Sequence, residues 1–182
     1  MDNTRLVRIS KYLSKHLRHQ PERLGLELEP GGWVSVEALL AACSAQRFLL
    51  SRAELDEVVA RNDKQRFAFD ETGTRIRAQQ GHSTPVDLQL EPMLPPEVLY
   101  HGTSHQSVAA IMRNGLHKMQ RHHVHLSPDI ETAARVGRRR GRPVVLEVAA
   151  NAMHQVGYLF YRSGNGVWLV EQIPPQYLRL LD

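Results

Sequence analysis

The chain has 182 residues, 42% of them hydrophobic, and 23 Lys/Arg against 19 Asp/Glu, a formal net charge of +4. That balance supports packed cores and argues against disorder, while a single cysteine, Cys43, excludes an internal disulfide framework. No apolar run approaches the roughly 18 residues of a membrane helix and no signal-peptide core opens the chain, so a cytoplasmic protein is expected.

From the N-terminus, Leu6, Ile9, Leu13 and Leu17 recur at helical spacing, with Arg8, Lys11, Lys15 and Arg18 on another face. Pro21 predicts that this helix stops ahead of it, with its end open to a ligand. GGWVS reads as a turn and short strand, and Ser35 as the cap of a helix carrying Val36, Leu39, Leu40 and Cys43. Ser51 and Glu54 form an S-x-x-E capping box opening a third helix. RFAFDETGTRIRA alternates like a hairpin turning at Gly73. Three helices followed by a hairpin suggest a winged helix, a nucleic-acid-binding architecture by analogy.

Prolines 85, 92, 95 and 96 mark a linker, giving lobes at 1–80 and 98–182 joined by 81–97. Beyond it, VLYHGT predicts a buried strand, then a helix from about Ser104 to Asn114 ended by Gly115. HVHLS predicts another strand, with Ser127-Pro128 starting a helix. Strands follow around VVLEV, YLFYR and GVWLV, so the second half is strand-rich with two short helices. The fold class is α+β and bilobal.

Four places carry candidate chemistry. Arg18 and His19 close the first helix in LRHQP. Cations there suit the helix dipole, and the same position favours a protonated imidazole beside arginine, a receptor for phosphate. Arg66 in NDKQRF opens the hairpin, either as a solvated strand end or as a phosphate contact. In YHGTS, His101 is suited to a ribose hydroxyl, and Gly102 and Thr103 to a flat ligand approached closely by backbone. In QRHHVHLS, Arg121 precedes His123 and His125, which alternate onto one strand face; no third ligand at metal-site spacing joins them. RVGRRRGRP is the densest basic run and suits either solvent or a polyanion.

In chain order, LRHQP, NDKQRF, LYHGTS, NGL, RHHVHLS, VGRRRG and NGVWLVEQIPPQYL resemble the RNA 2′-phosphotransferase family across nearly the whole length. The resemblance implies an N-terminal winged-helix RNA-binding lobe and a C-terminal ADP-ribosyltransferase-type lobe. It implies NAD⁺ as co-substrate, no metal, an RNA bearing a 2′-phosphate as partner, no membrane association and a monomer, with tRNA splicing as a setting. It carries over an Arg-His-Arg-Arg catalytic set as Arg18, His19, Arg66 and Arg121, and NAD contacts at His101, Gly102, Thr103, His125 and Ser127.

The implied reaction has two steps. RNA 2′-phosphate displaces nicotinamide to give 2′-phospho-ADP-ribosylated RNA. Transesterification then yields 2′-OH RNA and ADP-ribose 1″,2″-cyclic phosphate. Many ADP-ribosyltransferases place a glutamate on a late strand, whereas SGNGVWLV has no acid before Glu171. Two other activities compete: ADP-ribosyl capping of a terminal phosphate, and a DNA-binding regulator. The latter is disfavoured by Glu54, Asp56 and Glu57 on the third helix, which would repel DNA.

Overall fold

The first helix, α1 (Asn3–Arg18), buries Leu6, Ile9, Leu13 and Leu17 along one stripe, as its 3–4 spacing requires. The computed structural model describes residues 1–62 and 64–181, with the side chain of Arg140 outside that description. Asp63 of NDKQRF and part of the RVGRRRGRP run therefore lie outside the described residues. The chain divides into two compact units, Met1–Gln89 and Leu90–Asp182, each mixing helices with small sheets.

In the first unit, β1 (Trp33–Ser35) leads straight into α2 (Val36–Ala45), capped by Ser35, whose Oγ accepts from the Ala38 N–H. α3 (Arg52–Arg61) opens on a complete capping box: Ser51 accepts from the Glu54 N–H and Glu54 accepts from the Ser51 N–H. β2 (Phe67–Phe69) and β3 (Arg75–Ala78) form the expected hairpin around Gly73, whose φ of +69° suits glycine. β1 adds to β3, giving the antiparallel order β1-β3-β2. Ile76 and Phe67 then meet the α1 stripe, Leu39, Leu55 and Val58 in one core.

The proline-rich segment 81–97 is ordered backbone. Ser83 and Thr84 both donate their N–H groups to the Arg18 carbonyl, at 2.9 and 3.2 Å, and the Gly31 N–H donates to Asp87 O. His82 and Leu88 are buried. Within the second unit the Met93 N–H donates to Phe160 O. Prolines bar helix and remove donors, but extended backbone can still dock through the residues between them. Residues 83 and 84 thus satisfy the last carbonyl of α1, while the His19 side chain beyond it stays exposed.

The second unit begins with β4 (Leu99–Ser104), then α4 (His105–Asn114), which ends at Gly115 with φ +81°. Next come β5 (Leu116–His117), β6 (Val124–Leu126), α5 (Ile130–Gly137) and β7 (Pro143–Val148). The remainder is α6 (Ala150–Gln155), β8 (Phe160–Arg162), β9 (Trp168–Val170), β10 (Gln172–Ile173) and β11 (Leu178–Leu180). Three small sheets result, ordered β11-β7-β4, β6-β9-β8 and β10-β5, around a core centred on Leu99, Leu146, Met153 and Phe160.

Three details depart from the sequence reading. α6 makes a third helix in this half, and β5, β10 and β11 are additional strands. α5 starts two residues later than Ser127-Pro128 implied. Ser127 is held extended by reciprocal backbone hydrogen bonds with Tyr100, and the side chain of Asp129 caps the Thr132 N–H at 2.7 Å. Among the described residues, no helix is long and apolar enough to cross a membrane.

Candidate functional site

In the first unit the end of α1 brings three predicted residues together. The Arg18 guanidinium lies 6.0 Å from the centre of the Phe67 ring and its Nη2 reaches Arg66 O at 3.4 Å. Arg66 Nη1 donates to Asn62 Oδ1 at 3.1 Å. Asn62 is itself buried and donates through Nδ2 to Ser10 on α1. Asn62 thus ties the root of the hairpin to the first helix, which decides that Arg66 is held beside Arg18. His19 is exposed, with Nδ1 2.9 Å from Ser83 Oγ. That contact fixes the orientation of the imidazole at the end of α1.

The other histidine of KHLRHQP plays a different part. His16 is buried and its Nδ1–H donates to the Tyr12 carbonyl at 2.9 Å; burial pushes its pKa below the ordinary value, so it is a neutral core residue.

In the second unit, β4 and the HVHLS segment are joined by the Tyr100–Ser127 bridge. His101 Nδ1 lies 3.0 Å from the His125 carbonyl. A carbonyl only accepts, so Nδ1 carries the proton and the ring is fixed with Nε2 as its remaining polar atom. The side chain of His125 faces Arg121: Nη1 to Nδ1 is 3.4 Å, with arginine necessarily the donor. Arg121, His125, His101 and Ser127 therefore form one connected set.

Gly102 and Thr103 have a packing role as well. A methyl on Gly102 would overlap Ala133 O and lie 2.5 Å from Ala133 C and 3.0 Å from Gly137 N. A methyl on Gly137 would lie 2.7 Å from Thr103 O. The two glycines let α5 rest directly on the β4 backbone, so on that side Gly102 faces a helix. Among the described residues, no group of three or more His, Cys, Asp or Glu is placed to hold a metal ion.

Sequence reasoning missed Asn62 and Ser83. The first opens the NDKQRF stretch, and its position directly after a helix was the available signal. Ser83 sits in a segment read as linker, where nothing local marks a partner for His19.

A family model described as "RNA 2'-phosphotransferase, Tpt1 / KptA family" matches residues 4–172. A protein of Trichormus variabilis named "Probable RNA 2'-phosphotransferase" is 62% identical over 182 residues, covering 100% of both chains. A protein of the same name from Nostoc punctiforme is 61% identical over 98% of this chain and 99% of its own. One from Streptomyces coelicolor is 59% identical over 98% and 97%. The order of LRHQP, NDKQRF, YHGTS and RHHVHLS, the clustering of their side chains within each unit and this full-length similarity agree: the chain belongs to the RNA 2′-phosphotransferase, Tpt1 / KptA family.

Proposed function

We propose that this chain removes an internal 2′-phosphate from RNA by transferring it to NAD⁺, acting as a cytoplasmic monomer with a winged-helix RNA-binding first unit and an ADP-ribosyltransferase-type second unit. Membership of the family carries the reading. The position of Arg18 and His19 at the end of α1, with the Arg66 carbonyl on the Arg18 guanidinium, supports it, because cationic side chains in one region suit a phosphate. The pairing of His101 with His125, beside Arg121, supports a ribose-and-phosphate contact in the second unit.

In the first step a 2′-phosphate oxygen bonds to C1″ of the nicotinamide ribose and nicotinamide leaves. The phosphate is already a competent nucleophile, so the protein's contribution is placement. Fixed by the His125 carbonyl, His101 presents Nε2 to a ribose hydroxyl; Thr103 and Ser127, on the two strands joined by the Tyr100–Ser127 bridge, complete the contacts. In the second step the ribose 2″-hydroxyl attacks phosphorus, releasing its proton to solvent water, and the RNA 2′-oxygen leaves with a proton. The family resemblance assigns Arg18, Arg66 and Arg121 to stabilising charge on the transferring phosphoryl group, and His19 to protonating the leaving oxygen. Guanidiniums supply the positive charge, so turnover in excess chelator is expected to be undiminished.

The test is 2′-phosphorylated RNA with NAD⁺. Equal amounts of 2′-OH RNA, nicotinamide and cyclic phosphate product are expected; ADP-ribosylated RNA that accumulates without cyclic product would overturn the two-step scheme. Alanine at Arg18, His19, Arg66 or Arg121 is expected to cost roughly 10²–10³ in rate, the scale of losing one stabilising donor. Arg66→Ala and Arg121→Ala should trap the intermediate. Normal turnover by all four folded variants would refute the assignment.

A further inference from the structure

A cavity of about 400 Å³ opens in the second unit, lined in part by Lys118, His122, His123, Tyr158, Tyr161 and Glu171. None of these residues has a role in the chemistry above. The sheet register relates the cavity to the site. His125 and Tyr161 both pair with Leu169, from opposite sides, so they share one face of β6-β9-β8. His123 and Glu171, which flank β6 and β9, join Tyr161 in lining the cavity. Tyr161 of the cavity therefore shares a sheet face with His125, whose ring is 3.4 Å from the Arg121 guanidinium.

Its lining suits a flat, uncharged group. The His123 and Tyr161 rings are 5.4 Å apart and inclined at 58°, packed against each other as one aromatic patch on the cavity lining. Burial, and then the nearby His122 and Lys118, push the His123 pKa down, so the ring is neutral with one donor and one acceptor nitrogen. Lys118 Nζ binds Glu171 Oε1 at 2.9 Å, and that bond holds the carboxyl below its ordinary pKa. The one lysine is thus matched by a carboxylate, and a phosphate would meet that negative charge. At the rim, Gly157 has φ +101° and open space where a side chain would project. An aromatic ring face beside donor and acceptor groups is how proteins hold an unpaired base.

We infer that this cavity binds the nucleobase of the RNA nucleotide that carries the 2′-phosphate, with Arg121 at the phosphate and His123 and Tyr161 against the base. The inference rests on the proposed RNA reaction. It makes the enzyme read an unstacked nucleotide, and the mixed polar lining tolerates more than one base.

The experiment is a cycle between protein and substrate. Binding of a 2′-phosphorylated oligoribonucleotide is measured against the same strand made abasic at that nucleotide, for wild type and for Tyr161→Leu. One lost base stack corresponds to roughly 5- to 150-fold in Kd. The wild type is expected to lose about tenfold on the abasic strand, and Tyr161→Leu to bind both strands alike with its KM for NAD⁺ unchanged. Equal wild-type binding of the two strands overturns the inference. So does an abasic penalty that persists in the variant, or a rise in KM for NAD⁺ in place of the change in RNA binding. Tyr158→Leu, on a half-buried residue, runs the same cycle if Tyr161→Leu does not fold. Binding that depends on the base, without phosphate transfer, would sink the proposed reaction and leave the base site; transfer indifferent to the base would do the reverse.

Discussion

Replacing Gly102 by alanine tests why a glycine stands in YHGTS. The added methyl would overlap Ala133 O and sit 2.5 Å from Ala133 C, against about 3.5–4.0 Å for carbon atoms at rest. Relief needs about 1 Å of movement by the α5 backbone, which has no rotamer with which to yield. Overpacking of this kind costs about 1–3 kcal/mol, and a rigid neighbour puts the substitution at about 3 kcal/mol or above. At about 2–4 °C per kcal/mol for a chain of this size, Tm should fall by at least ~6 °C. Thermal unfolding followed by circular dichroism, with urea midpoints at constant m, measures it. Gly141→Ala is the control: φ is +120° there but no atom lies within 4 Å of the new methyl, so it reports backbone strain without the clash. Unchanged Tm and urea midpoint in Gly102→Ala, with NAD⁺ affinity lost, would refute the packing account and return Gly102 to ligand approach alone.

Two other predictions concern the first unit. The Arg5 guanidinium bonded to Glu54, with the Ser51 N–H, holds the Glu54 carboxyl down to about 2. A depressed carboxyl stabilises the fold above its unfolded pKa and loses that effect as pH falls through its folded one. Glu54→Gln should therefore cost about 1 kcal/mol at neutral pH, an exposed-pair and cap magnitude, and the deficit should shrink between about 4.5 and about 2 in urea midpoints taken against pH. A deficit independent of pH would exclude the ionic contribution. Lys11 and Lys15 project from the exposed face of α1, a helix without a single acid, in line with Arg8 and Arg18. If RNA phosphates track along it, the double alanine variant lowers the slope of log K against log salt by about 0.7–0.9 per lost contact while kcat holds. An unaltered slope would make that face ordinary solvated surface.

Much of this protein was legible in local chemistry. The α1 stripe, the Ser51–Glu54 capping box, the Gly73 turn and the stop before Pro21 follow from periodicity, capping and backbone sterics within a few residues, and all appear where expected. Membership of the family was legible because LRHQP, NDKQRF, YHGTS and RHHVHLS occur together in one order. The spacing that marks Arg18 and His19 says nothing of their partners. The contacts of segment 81–97 were not legible, because proline content reports what backbone cannot do and says nothing of what it rests against.

Tertiary structure alone decided the rest. Asn62 ties Arg66 to α1, and Ser83 reaches His19 across 64 residues of chain. Gly102 and Gly137 meet because α5 lies on β4, and His123 meets Tyr161 because β6 and β8 flank β9. The physical reason is one of range. Turn, cap and period energies act over three or four residues and are written in consecutive letters. Which guanidinium lies over which ring depends on burying two separate cores, a property of the whole chain that no stretch of it contains.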